Sequence, residues 1–462
     1  MSFSDLKFIF YFLPLFFAVY YLVPVWCKNL LLVLGSIAFY FLGAGLRDTL
    51  LLAAVVALHY GIARAMDAAA SRRLRKGLLI LALAADLLCL TYFKYTPFLL
   101  ENWSGLTGQV ISVPKIILPL GVSFYLFQSM GYLMDVYRGE PAEKNPIHYA
   151  AFTLAFPQLT MGPILRWHDW RDALRQRHVR RADVADGFSL FIVGLCCKVL
   201  LADQLAPMWA LLDRIGYAYL STPLAWLGAV SYSLQLYFDF SGYSIMAMGL
   251  GQMLGLYIPR NFDAPYASRS VSEFYRRWHM TLGAWFRDYL YIPLGGSRHG
   301  KARTALALSV VWFFTGLWHG ASWNFVLWGV VLLAFILLEK FCIGGFLERH
   351  RVLSHVYLLF VIPQTWVIFR ITDLGELGAY FGRLFPFFGS SSVVSAQDVV
   401  GPLRSYWWLL LLCIFFSLPQ PRRFYEKYSR TLWIQLPLLL LFWVCVYFIA
   451  TSSGNGFLYS RF

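Results

Sequence analysis

Continuous apolar runs recur through the whole chain, and they constrain its fold more than any other feature. A helix that crosses hydrocarbon needs about 17–25 apolar residues. Runs of about that length fall at residues 8–26, 29–46, 49–65, 77–94, 116–136, 185–205, 223–240, 241–258, 304–318, 321–340, 352–370, 405–419 and 431–450. They are continuous rather than alternating, which excludes a membrane β-barrel. The expectation is an all-α polytopic membrane protein with about 11–13 membrane elements, some of them re-entrant or in-plane.

Only 14% of the residues are charged, against about 25% in soluble domains. No polar stretch is long enough to fold separately, so one membrane-embedded domain over residues 1–462 is expected. The first run, 8–25, is longer than a signal-peptide core and lacks an A-x-A cleavage site, so it reads as a retained helix. The net charge of +15 sits in short loops, where it is a topology signal rather than a nucleic-acid footprint. Residues 64–76, 166–181 and 260–303 are the basic loops. Placing them in the cytoplasm puts the N-terminus on the non-cytoplasmic side of an inner membrane and residues 101–114 on the outer side. Seven cysteines with no C-x-x-C pair argue against a disulfide framework or a metal site. Asp86 and Lys198 stand in apolar runs with no partner assignable from sequence, and Gly251 and Gly255 read as a close helix-packing pair.

His319 lies within W-F-F-T-G-L-W-H-G-A-S-W-N (312–324), with no charged residue from 304 to 338. A histidine there either bridges helices or performs chemistry. Its functional reading rests on its neighbours. Gly316 and Gly320 clear space, Trp312, Trp318, Trp323 and Trp328 are candidate pocket walls, and Asn324 is polar at a similar depth. An imidazole can take a proton from a hydroxyl and pass it on, as acyl transfer requires.

Residues 270–291 read as an amphipathic helix at the cytoplasmic interface. Ser270 and Glu273 form a capping-box pattern, and Val271, Phe274, Trp278, Leu282, Trp285 and Tyr289 recur at three- and four-residue spacing. His279, just off that stripe, is either an interfacial polar residue or part of a site shared with His319. Haem ligation by a histidine pair is a competing explanation. Arg276, Arg277 and Lys301 supply positive charge that could attract donor phosphates. The run from Gly295 to Lys301 matches a phosphate loop formally, but Ala302 replaces the magnesium-binding hydroxyl, so a basic turn explains it better. Asp239 is either structural support or an active-site contributor.

The stretches Tyr237-Phe-Asp-Phe-Ser-Gly-Tyr-Ser244, Pro259-Arg-Asn-Phe-Asp-Ala-Pro-Tyr266, Phe274-Tyr-Arg-Arg-Trp-His279, Trp285-Phe-Arg-Asp-Tyr-Leu-Tyr-Ile-Pro-Leu-Gly-Gly296 and Leu317-Trp-His-Gly-Ala-Ser-Trp323 resemble the membrane-bound O-acyltransferases. The bacterial branch containing the alginate O-acetyltransferase membrane subunit is the nearest in pattern. The motif core is 237–329, and the C-terminal 457–462 resembles that branch's ending. Ile245 departs from the aspartate expected there in many relatives.

The resemblance implies a central funnel, His319 as catalytic histidine and His279 as the second characteristic polar position. It implies no bound cofactor, with acetyl-CoA as donor substrate. It also implies periplasmic accessory proteins and an acceptor polysaccharide such as alginate or cellulose. Surrounding lipids complete the list of partners. Two alternatives remain open at this level. One is transfer of a D-alanyl or other acyl group from a carrier protein to a cell-envelope polymer. The other is a transporter or channel without acyl transfer.

Overall fold

The computed structural model describes residues 1–388, 395–451 and 456–458, so most of the closing stretch at 457–462 lies outside the described residues. Among those described there is no strand, and seven helices are long and apolar enough to cross a membrane. The remaining membrane elements expected from sequence correspond to shorter or less apolar helices.

The runs 29–46 and 49–65 form two helical segments, together α1 (Lys28–Ala68), that meet at a break at Gly45, whose φ of 81° and ψ of 179° are not helical. That positive φ is open to glycine at little cost. The helix α2 (Arg72–Leu90) starts with Ser71 Oγ accepting the Leu74 N–H, and helical structure runs on to Thr107, taking in the first part of the segment 101–114. The helix α3 (Arg181–Cys196) continues the run at 185–205. The runs 223–240 and 241–258 fuse into α4 (Thr222–Met253).

The chain groups into two compact units: residues 1–192, 243–259 and 446–461, and residues 193–242 and 260–445. In the first, the partner of Asp86 is His59, whose Nε2 lies 2.9 Å from the carboxylate while Nδ1 meets the Val55 carbonyl. Arg177 is buried against Tyr20 Oη, the Asn29 side chain and the Leu254 carbonyl. These neutral acceptors satisfy its fork without a carboxylate. Gly249 joins Gly251 and Gly255 in close approach: a Cβ on it would stand 2.4 Å from the Gly187 carbonyl oxygen. Gly255 turns the chain at φ +72° just past the end of α4. It is itself close to backbone, since a Cβ there would stand 2.5 Å from the His178 carbonyl oxygen, while one on Gly251 would stand 2.7 Å from Ile258.

In the second unit, Lys198 lies in a π-helical turn that follows α3. Its ammonium is 2.7 Å from both Asp239 and Asp203, so Lys198 and Asp239 hold each other. The expected helix over 270–291 is broken. It forms α5 (Val271–Arg277) and α6 (Met280–Phe286), with His279 between them at φ 47° and ψ 52°. The apolar stripe continues across the break because both short helices bury the same residues, among them Val271, Phe274, Leu282 and Trp285. After a basic turn come α7 (Gly300–His319), α8 (Trp323–Leu338) and α9 (Arg351–Arg370). Two more long helices follow, α10 (Val400–Ser417) and α11 (Leu432–Thr451).

Candidate active site

The hairpin of α7 and α8 places His319. Its helices cross at glycines: a Cβ on Gly316 would lie 2.5 Å from the Phe325 carbonyl oxygen, and one on Gly329 would lie 2.6 Å from that of Trp312. Only glycine permits that approach, and it seats the last turn of α7 firmly against α8. His319 closes α7 and is buried, its ring packed edge-on against Trp318, Trp328 and Phe369 at 4.9, 5.0 and 5.2 Å. Asn324 fastens the hairpin to α9, its amide donating to the carbonyls of Ile368 and Phe369 at 3.1 Å each.

The break between α5 and α6 places His279. Ser270 Oγ accepts the Glu273 N–H at 3.0 Å, as the capping pattern predicts, while the Glu273 carboxylate reaches the Arg269 N–H rather than that of Ser270. The buried Glu339 accepts from the Val271 and Ser272 amides, the Ser272 hydroxyl and Tyr357 Oη. It therefore pins the start of α5 to the end of α8. A left-handed backbone at a non-glycine residue costs of order 1–3 kcal/mol. At His279 that conformation is held by the non-helical segment 260–263. The Met280 N–H donates to the Asn261 carbonyl and the Asp263 N–H to that of Arg277, both at 2.9 Å.

Both histidines line one cavity of about 1030 Å³. Trp318 packs on both, its indole 5.8 Å from the His279 ring and 4.9 Å from that of His319. Tyr275, Trp278, Trp312 and Trp328 form the aromatic wall. The lining passes from these buried groups to exposed Arg276, Arg287, Lys340 and Glu348, so one end is wet and charged and the other dry and aromatic. His279 is fully enclosed, and burial alone holds its imidazole far below the ordinary range, at about 3. It is neutral at physiological pH, since a low-dielectric setting disfavours the cation.

Of the residues singled out from sequence, His319, His279 and Arg276 line this cavity, and Trp318 touches both imidazoles. Trp312 and Trp328 line it as well, whereas Trp323, Asn324, Asp239, Arg277 and Lys301 do not. Trp323 faces outward at 53% exposure. Asn324 spends its amide on α9, Asp239 is paired with Lys198, Arg277 is bonded to Glu273 at 2.7 Å, and Lys301 is exposed outside the lining. Two residues had been given no role, Asn261 and Glu339. Asn261 lies within Pro259-Arg-Asn-Phe, where it reads as a turn residue. Glu339 is visible only as the acid that ends a long apolar run. Among the described residues no cluster of His, Cys, Asp and Glu could hold a metal ion.

The family model for MBOAT, the membrane-bound O-acyltransferase family, matches residues 134–350, which contain the whole cavity lining. The chain is also 40% identical over 404 residues to the probable alginate O-acetylase of Azotobacter vinelandii, covering 84% of this chain and 78% of that one. The chain belongs to the membrane-bound O-acyltransferase family. This MBOAT protein is therefore an O-acyltransferase and, with its seven apolar helices, a multi-pass membrane protein. It is 32% identical over 425 residues to the peptidoglycan O-acetyltransferase of Helicobacter pylori, covering 81% of this chain and 78% of that one. The teichoic acid D-alanyltransferase of Bacillus subtilis is 27% identical over 249 residues, covering 50% of this chain and 62% of that one.

Proposed function

We propose that this protein is an O-acetyltransferase of the bacterial inner membrane, with its N-terminus on the non-cytoplasmic side. It takes acetyl groups from cytoplasmic acetyl-CoA for O-acetylation of a secreted or periplasmic polysaccharide such as alginate or cellulose. The observation that carries this reading is the pair of histidines lining one cavity that is dry at one end and basic at the other.

In this reading His319 accepts the proton of the attacking hydroxyl, which belongs to the glycan or to a periplasmic relay protein. The oxygen bonds to the thioester carbonyl carbon, the C–S bond breaks, and the departing thiolate takes the proton back from His319 to leave as a thiol. General-base assistance of this kind is worth about 10²–10⁴ in rate. His279 contacts the donor, and Arg276, with Arg287 and Lys340, attracts the donor's phosphates at the wet end.

Acetyl is favoured over D-alanyl by the extent of the likeness. The relatives named for acetyl transfer match 81–84% of this chain at 32–40% identity, whereas the D-alanyl-transferring relative matches 50% at 27%. The test is the acetate content of each secreted glycan in a deletion strain complemented with wild-type or His319→Ala protein. Inserted His319→Ala protein should leave the glycan unacetylated, and wild-type acetate would overturn the assignment.

A further inference from the structure

Asn261 does more than hold the backbone at the break between α5 and α6. Its Oδ1 accepts the Thr281 N–H at 3.2 Å and the Thr281 hydroxyl at 3.0 Å. A backbone amide can only donate, so the Asn261 atom it meets is the carbonyl oxygen, and this fixes which way the side-chain amide points. The same oxygen lies 3.2 Å from His279 Nδ1. An amide oxygen cannot donate, so Nδ1 carries the hydrogen of this bond. A neutral imidazole has one N–H, and its second nitrogen is then an acceptor. Phe240 of α4 and Trp318 of α7 pack on the ring at 4.8 and 5.8 Å. Neither of them titrates. His319 packs on the same indole at 4.9 Å, and Asn261, itself bonded to Thr281, makes the polar contact at Nδ1. Burial is the cause of the lowered proton affinity.

We propose that Asn261 is a positioning residue that locks His279 in its Nδ1–H tautomer, so that His279 meets substrate as a hydrogen-bond acceptor at Nε2. The group it recognises must therefore carry a hydrogen, either an amide N–H on the arm of the thioester donor or the hydroxyl of the acceptor. A phosphate or a thioester oxygen does not fit, because neither can donate. The choice between those substrate groups rests on the function proposed above, whereas the tautomer does not.

The test uses the full-length protein in lipid. Solid-state ¹⁵N NMR of histidine-labelled protein, with the His279 signals assigned by their loss in His279→Gln, should show a protonated Nδ1 and an unprotonated Nε2. This readout stands whether or not the acetyl reading holds. Asn261→Leu should lose the tautomer preference and about tenfold or more in activity, the usual effect of removing a partner that orients a functional histidine. Asn261→Asp keeps the accepting oxygen but adds a charge that raises the proton affinity of His279. Its activity should approach wild type at high pH and fall along a new acid limb. A donor N–H at Nε2 predicts that losing the tautomer raises KM for the donor, and an acceptor hydroxyl predicts a loss in kcat. A hydrogen on Nε2 of wild-type His279, or an Asn261→Asp loss that is the same at every pH, would overturn the proposal.

Discussion

Gly316→Ala tests how tightly the structure holds its proposed base. The added methyl would lie 2.5 Å from the Phe325 carbonyl oxygen, whereas ordinary contact begins at 3.4 Å, so α7 and α8 must part by about 0.9 Å. The obstacle is backbone, which cannot rotate away. Overpacking of this kind costs about 1–3 kcal/mol. Gly316 lies three residues before His319, less than one helical turn, so the displacement is passed to the imidazole. A misplacement of about 1 Å lowers rates by about 10²-fold. The control is Gly77→Ala in α2, where a Cβ meets nothing within 4 Å. Alanine there should be neutral or stabilise the helix by about 0.5–1 kcal/mol. The assay is glycan acetate per inserted protein in a complemented deletion strain, alongside retention of the monodisperse protein in detergent after heating. Wild-type activity in Gly316→Ala, or an equal loss in Gly77→Ala, would refute the argument that the glycine crossing positions His319.

Two further outcomes follow from the buried polar groups. Lys198→Met removes the ammonium held by Asp239 and Asp203, leaving a buried carboxylate whose cationic partner is gone. Such a break costs about 3–5 kcal/mol, so the thermal midpoint should fall sharply and recover in part in Lys198→Met/Asp239→Leu. The buried His279 has its proton affinity lowered to about 3 in the folded protein, against about 6.5 in the unfolded chain. The unfolded state therefore binds the extra proton as pH drops below about 6.5, and the folded state is disfavoured. The stability present above that pH should diminish by about 2 kcal/mol on going to pH 5. The acid-induced loss of stability should be smaller by that amount in His279→Gln, with a correspondingly smaller fall in midpoint, and identical pH dependence in the two proteins would contradict it.

The helices were legible in the sequence because long apolar runs leave few alternatives to a membrane helix. Their ends were less so. At Gly45 the dip in hydropathy around Arg47 and Asp48 does mark a break, where glycine adopts a non-helical backbone between two helical segments. The break at His279 was hidden because the three- and four-residue spacing of apolar side chains runs straight through it. What breaks the helix is a set of bonds from residues 261–263, a tertiary constraint that outweighs local periodicity. His319 stood out because an ionisable group in an apolar run is costly. Pairings such as His59 with Asp86 depend on which face of each helix meets the other, and a sequence pattern does not carry that. Asn261 was missed for the same reason. Its bonds to His279 and Thr281 span 18 and 20 residues, while its immediate neighbours suggest only a turn.

Transfer of label from acetyl-CoA radiolabelled on the acetyl group, catalysed by purified protein in lipid vesicles with its acceptor supplied, tests the central claim most directly. Wild-type protein should move the label, and His319→Ala should do so about 10²–10⁴-fold more slowly while melting at the wild-type temperature. Equal rates from the two proteins would contradict the assignment of His319 as the base at the heart of this cavity.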